Sequence, residues 1–110
     1  MIKKLTKREL TKLFKPLSVA WKLNSKETAI VGTYKFGNFI ESFMFVTRVG
    51  VHAEVMHHYP EISLTYGKVV VTLTTDDLPG LTAIDFELAK KFDIIYALST
   101  ARDSSSRSGY

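Results

Sequence analysis

The hydrophobic period of this chain changes at Pro60, and that change constrains the fold more than any other feature. Upstream, Phe39, Phe43, Val46, Val49 or Gly50, Ala53 and Met56 recur at intervals of three and four, one face of a helix of about five turns. We read this stripe of aromatics and methionine as core. Downstream, Ile62, Leu64 and Tyr66 alternate, Gly67 permits a turn, and Val69, Val71 and Leu73 alternate again, as in a β-hairpin. A proline disfavours an α conformation in the residue before it. A helix starting from an Asn38 cap should therefore stop near His58 or Tyr59. The junction Glu54-Val55-Met56-His57-His58-Tyr59-Pro60 thus puts titratable rings at the end of a buried helix, facing a hairpin.

The flanking segments complete an alternating order. Thr6-Lys7-Arg8-Glu9 reads as a capping box, with Leu5 and Leu10 as its staple. Leu10, Leu13 and Phe14 give the first helix a short apolar stripe, and Pro16 ends it. Residues 18–23, centred on Trp21, read as a strand. Asn24-Ser25-Lys26-Glu27 reads as a turn, and residues 28–36 as a second strand with Ile30, Tyr34 and Phe36 on one face. After a Leu78-Pro79-Gly80 loop, Thr82-Ala83-Ile84-Asp85 resembles a second capping box, with Leu81 and Phe86 as its staple. Ile84, Leu88, Ala89, Phe92 and Ile95 line the last helix. The expectation is an α+β domain over residues 1–102 in the order α-β-β-α-β-β-α, a two-layer arrangement of a four-stranded antiparallel sheet with helices on one face. Residues 103–110, rich in serine, read as a flexible tail. The uncovered sheet surface favours a homo-oligomer.

Composition narrows the function classes. The chain has 110 residues and no cysteine, which excludes disulfide and thiolate chemistry and suits the cytoplasm. No apolar run reaches the roughly 18 residues that a membrane span needs, so no membrane partner is expected. The net charge of +4 is concentrated in residues 1–15, where Lys3, Lys4, Lys7, Arg8, Lys12 and Lys15 face a single acid, Glu9. Such a segment can touch nucleic acid, but a solvated outer face is the reading preferred here, and nucleic acid is not an expected partner.

Chemistry-bearing residues gather on both sides of Pro60. Glu54 and His58 are four apart on one helix face, where the carboxylate could orient the imidazole or form a surface ion pair. His52, His57 and His58 do not form a metal set: adjacent helical positions diverge by about 100°, and no ligand spacing of the usual kind occurs. Gly-rich phosphate loops and a Ser-His-Asp signature are absent. Asp76 and Asp77, at the hairpin exit, are ordinary turn acids if taken alone.

The combination of Phe39-x-x-x-Phe43, Arg48-Val49, Ala53-Glu54-x-x-x-His58-Tyr59-Pro60-Glu61, Tyr66, Val69-x-Val71-x-Leu73-x-Thr75, Gly80-Leu81-Thr82, Asp85 and Leu88-Ala89 resembles the pterin-4a-carbinolamine dehydratase family, also known as the dimerisation cofactor of a homeodomain transcription factor. That resemblance covers nearly the whole chain. It implies dehydration of a 4a-hydroxytetrahydropterin in tetrahydrobiopterin recycling, with no metal or cofactor, by a homodimer or homotetramer. The family pattern is Glu-x-x-x-His-His-Pro with a third histidine at the hairpin exit. Here Glu54 and His58 match, Tyr59 stands at the second histidine and Asp76 at the third. The resemblance assigns catalysis to His58, with Tyr59 and Asp76 as secondary groups and Glu54 as the orienting carboxylate. It assigns pterin binding to His57, His58, Tyr59, Thr74, Thr75, Asp76 and Asp77. The alternative is a non-catalytic pterin-binding or protein-interaction module on the same scaffold.

Overall fold

A computed structural model describes residues 5–75 and 80–106, with side chains through residue 99. Seven elements follow one another: α1 (Lys7–Phe14), β1 (Trp21–Leu23), β2 (Ile30–Lys35), α2 (Phe39–Met56), β3 (Glu61–Thr65), β4 (Lys68–Leu73) and α3 (Ala83–Ser106). The four strands pair antiparallel in the spatial order β1-β2-β4-β3. The first and second hairpins thus meet through β2 and β4, in a register that sets Ile30 against Leu73 and Tyr34 against Val69. These residues and Val71 share the face that the helices cover, and all are essentially inaccessible. The opposite face, with Lys22, Val31, Thr33, Val70 and Thr72, stays partly or fully open.

Local chemistry starts and stops these elements. The Thr6 hydroxyl accepts from the Glu9 amide at 3.2 Å and the Glu9 carboxylate accepts from the Thr6 amide at 2.8 Å, so the first capping box is complete. In the turn after β1, the Asn24 side chain accepts from the Thr28 and Ala29 amides at 2.8 and 3.0 Å. β1 is shorter than the alternation suggests. Ser18 is drawn out of the sheet by Asp93 of α3, which accepts from the Ser18 amide at 2.9 Å and its hydroxyl at 2.8 Å. The same carboxylate accepts from the Trp21 indole at 3.0 Å and the Tyr34 hydroxyl at 2.7 Å. Trp21 lies flat over Gly32, where an added Cβ would stand 2.7 Å from the indole ring, so only glycine fits beneath it.

The stripe predicted for α2 is rotated. Ser42, Phe45, Val49 and Ala53 face the sheet, with Val46 and Met56 partly buried beside them. Phe39 and Phe43 are about half exposed, at 42% and 53%. Ile40, Met44, Val51 and Val55 are also exposed, so apolar residues surround the helix and periodicity could not choose the buried side.

The same helix ends earlier than expected, at Met56. His57 adopts the left-handed conformation (φ 52°, ψ 41°), the His57 amide donates to the Glu54 carbonyl and the His58 amide donates to the Ala53 carbonyl. This paired closure is a Schellman cap, achieved without the usual glycine.

At α3, Leu81 and Phe86 are both buried as the staple requires, but the second capping box is only half formed. Asp85 accepts from the Thr82 amide at 3.0 Å, while the Thr82 hydroxyl turns to Thr75. Phe86 joins Leu88, Ala89 and Phe92 in the core, whereas Ile84 and Ile95 are only partly buried. The α3 backbone continues helical through Ser106, past the point where the serine-rich tail was expected to begin; residues 107–110 lie outside the described residues.

Candidate active site

The end of α2, the exit of β4 and the start of α3 converge on one carboxylate. The cap at His57 turns the chain so that Pro60 leads directly into β3 and the His58 ring faces inward. Two residues beyond β4, the Thr75 amide donates to the Gly80 carbonyl at 3.2 Å, a closure between these two positions. That closure brings Thr75 beside the first turn of α3. His58 Nε2 then lies 2.5 Å from Asp85 Oδ1, with the imidazole 14% exposed and the carboxylate fully buried. Asp85 Oδ2 accepts from the Thr75 hydroxyl at 2.7 Å and the Thr82 amide at 3.0 Å. A carboxylate withdrawn from water is costly unless hydrogen-bonded, and these contacts meet that cost.

This geometry reassigns the partner of His58. The i, i+4 spacing suggested Glu54, but Glu54 Oε1 accepts instead from the Tyr59 hydroxyl at 3.4 Å, and both residues are exposed. Loss of water around the Tyr59 phenol, together with the charge of Glu54, raises its ionisation above the ordinary tyrosine value. Tyr59 is therefore a proton donor at neutral pH and a poor base. His57, at the left-handed cap, is exposed.

The threonines expected to line a ligand are engaged elsewhere. The Thr74 hydroxyl donates to the Thr28 carbonyl at 2.6 Å, and Thr75 is buried with its hydroxyl committed to Asp85. Asp76 and Asp77 lie outside the described residues. His52 is partly buried on α2. Among the described residues, no group of three His, Asp or Glu side chains could hold a metal ion. No helix among them is long and apolar enough to cross a membrane.

Sequence reasoning treated Asp85 as a helix cap and missed its place beside His58. A signal was present. Leu81, Asp85, Leu88 and Phe92 are spaced as one helix face, and an acid within an apolar stripe needs donors to face. A hollow of about 760 Å³ lies away from this cluster, between Ser18, Lys22, Thr33, Asp93 and Tyr96. It carries no histidine, so proton chemistry points to His58 and Asp85.

Comparison with known proteins agrees with the fold. Residues 3–95 match the family model described as pterin 4 alpha carbinolamine dehydratase. A protein of Rhizobium leguminosarum bv. trifolii named for that enzyme is 45% identical over 73 residues, 66% of this chain and 72% of its own. One from Prochlorococcus marinus, named likewise, is 38% identical over 93 residues, covering 84% of this chain and 94% of its own. The crystal structure of a transcriptional coactivator/pterin dehydratase from Brucella melitensis superposes with a TM-score of 0.80 at 31% identity, over 86% of this chain and 99% of that one. A pterin dehydratase-like RuBisCO assembly factor of the alpha-carboxysome shares the fold alone, with a TM-score of 0.61 at 16% identity over 72% of this chain and 95% of its own. With the family model spanning most of the chain and the fold shared with a solved relative, the chain belongs to the pterin-4-alpha-carbinolamine dehydratase family.

Proposed function

We propose that this protein is a hydro-lyase that dehydrates a 4a-hydroxytetrahydropterin, with His58 as the principal acid/base group. The supporting observation is the 2.5 Å contact between His58 and the buried Asp85. In the reaction the C4a–O bond breaks, the N5–H proton is removed and a C4a=N5 double bond forms, giving quinonoid dihydropterin and water. Hydroxide is a poor leaving group, so it needs a proton, and N5 needs a base. Imidazole serves either need near neutral pH. Tyr59, which stays protonated, is suited to protonating the departing oxygen, with Glu54 holding its hydroxyl. Asp76 and Asp77 are proposed to approach the pterin from the hairpin exit, and the exposed His57 to border its rim.

A cytoplasmic setting fits the cysteine-free sequence. Self-association is supported by the apolar surface of Ile40, Phe43, Met44, Val51 and Val55 on α2. Light scattering should then give a mass above that of the 12.4 kDa chain.

The deciding experiment is a dehydration assay with 4a-hydroxytetrahydropterin. The parent should turn over, and His58→Ala should lose at least about 10²-fold in rate while remaining folded. A parent that is inactive, and stays so with Tyr59→His, would reject the enzymatic reading in favour of a non-catalytic module on this scaffold.

A further inference from the structure

We propose that Thr75 and Thr82 are positioning residues, whose hydroxyls form a one-way relay that holds the proton of neutral His58 on Nε2 and leaves Nδ1 free as the base. The donor directions follow from counting protons. Thr75 has one hydroxyl proton and gives it to Asp85 Oδ2 at 2.7 Å. The Thr75 oxygen lies 3.0 Å from the Thr82 oxygen, so in that contact Thr82 must be the donor. The Thr82 amide also donates to Asp85 Oδ2, at 3.0 Å.

Two donors aimed at Oδ2 occupy it as an acceptor, the arrangement that suits a carboxylate. An ionised carboxylate can only accept, so the 2.5 Å contact at Oδ1 requires the hydrogen on His58 Nε2. Nδ1, on the other side of the ring, then carries the lone pair. Both hydroxyls are buried, with Thr75 at 6% and Thr82 at 2% exposure, so water does not substitute for them. Thr75 therefore acts through Asp85, behind the imidazole, rather than by touching the pterin.

This inference rests on the reading of His58 as the acid/base group, yet its first test needs no turnover. Nitrogen-15 NMR of the intact protein, at a pH where His58 is neutral, should show the Nε2–H tautomer predominating. Thr75→Val keeps the shape of the side chain and removes the hydroxyl, so it should raise the Nδ1–H fraction. It should also lower kcat about tenfold with KM little changed, the expected scale for one hydrogen bond to a charged group. Thr75→Ser should restore both readouts, and Thr82→Val should shift both in the same direction by less. A parent with predominantly Nδ1–H tautomer would overturn the proposal, as would a Thr75→Val protein that loses thermal stability with its tautomer balance unmoved. If Thr75→Val does not fold, the Thr82→Val spectrum decides by the same criterion. An inactive parent with the expected tautomer shifts would reject the dehydratase reading and leave the relay standing.

Discussion

Two carboxylates on α3, Asp85 and Asp93, stand about two turns apart and are each surrounded by donors, yet they serve different ends. Asp93 gathers the Ser18 amide and hydroxyl, the Trp21 indole and the Tyr34 hydroxyl. None of these donors releases a proton near pH 7, so the cluster is a clamp that fastens the start of β1 and the end of β2 to the helix. Asp85 gathers a threonine hydroxyl, a backbone amide and an imidazole. Replacing one inert donor by a histidine turns the same kind of hub into a device for moving protons. The lesson is that hydrogen-bond count does not distinguish a structural acid from a functional one. The titration range of its partners does.

The largest expected contrast comes from removing one charge at a time. Asp85→Asn should lower the dehydration rate by at least about 10²-fold, because an amide can present its NH2 to Nε2 and no longer fixes the His58 ring as the carboxylate does. Asp93→Asn should instead cost about 2–3 kcal/mol of stability, since hydrogen bonds to a charged acceptor are lost. Its kcat per folded molecule should be unchanged. Urea unfolding and initial-rate measurements on both variants read the two effects separately. Equal losses of rate per folded molecule would erase the distinction between the hubs.

The Asp93 clamp should also show in alkaline solution. Burial, and then the neighbouring Asp93 carboxylate, raise the ionisation of Tyr34 far above its ordinary value of 10.0. Below that pH the phenol is protonated in both folded and unfolded chains and contributes its full share of stability. Above it the unfolded chain ionises while the folded phenol keeps its proton, so stability falls as pH rises. Melting temperatures measured between about pH 9 and 11 should therefore decline. Tyr34→Phe should lower the whole curve but flatten that decline. An unchanged slope would show that another group causes it.

The smallest effect belongs to the cap that aims His58 at Asp85. His57→Gly should stabilise the fold by up to about 1 kcal/mol, because glycine adopts positive φ without a Cβ penalty. Dehydration should persist, since the His57 ring lies outside the Asp85 cluster. Loss of kcat in a well-folded His57→Gly protein would give His57 a part in the chemistry itself, beyond the rim position proposed above.

The change of period at Pro60, the capping box at Thr6, the turn at Asn24 and the alternation of Val69, Val71 and Leu73 are local features. Short-range sterics and hydrogen bonds decide them, so the element order could be read from the sequence. The side of α2 that is buried could not, because apolar residues occupy nearly its whole circumference and only packing on the sheet and on α3 selects Phe45, Val49 and Ala53 over Phe39 and Phe43. The end of β1 could not be read either, since the partner of Ser18 is 75 residues away. The site divides in the same way. His58 stands out in the sequence by its spacing from Glu54 and Pro60, but its buried partner lies 27 residues further on, across the second hairpin. Pairing the strands closes that distance, and hydrogen bonding to a buried acid is settled by which groups arrive in space, not by which are adjacent along the chain.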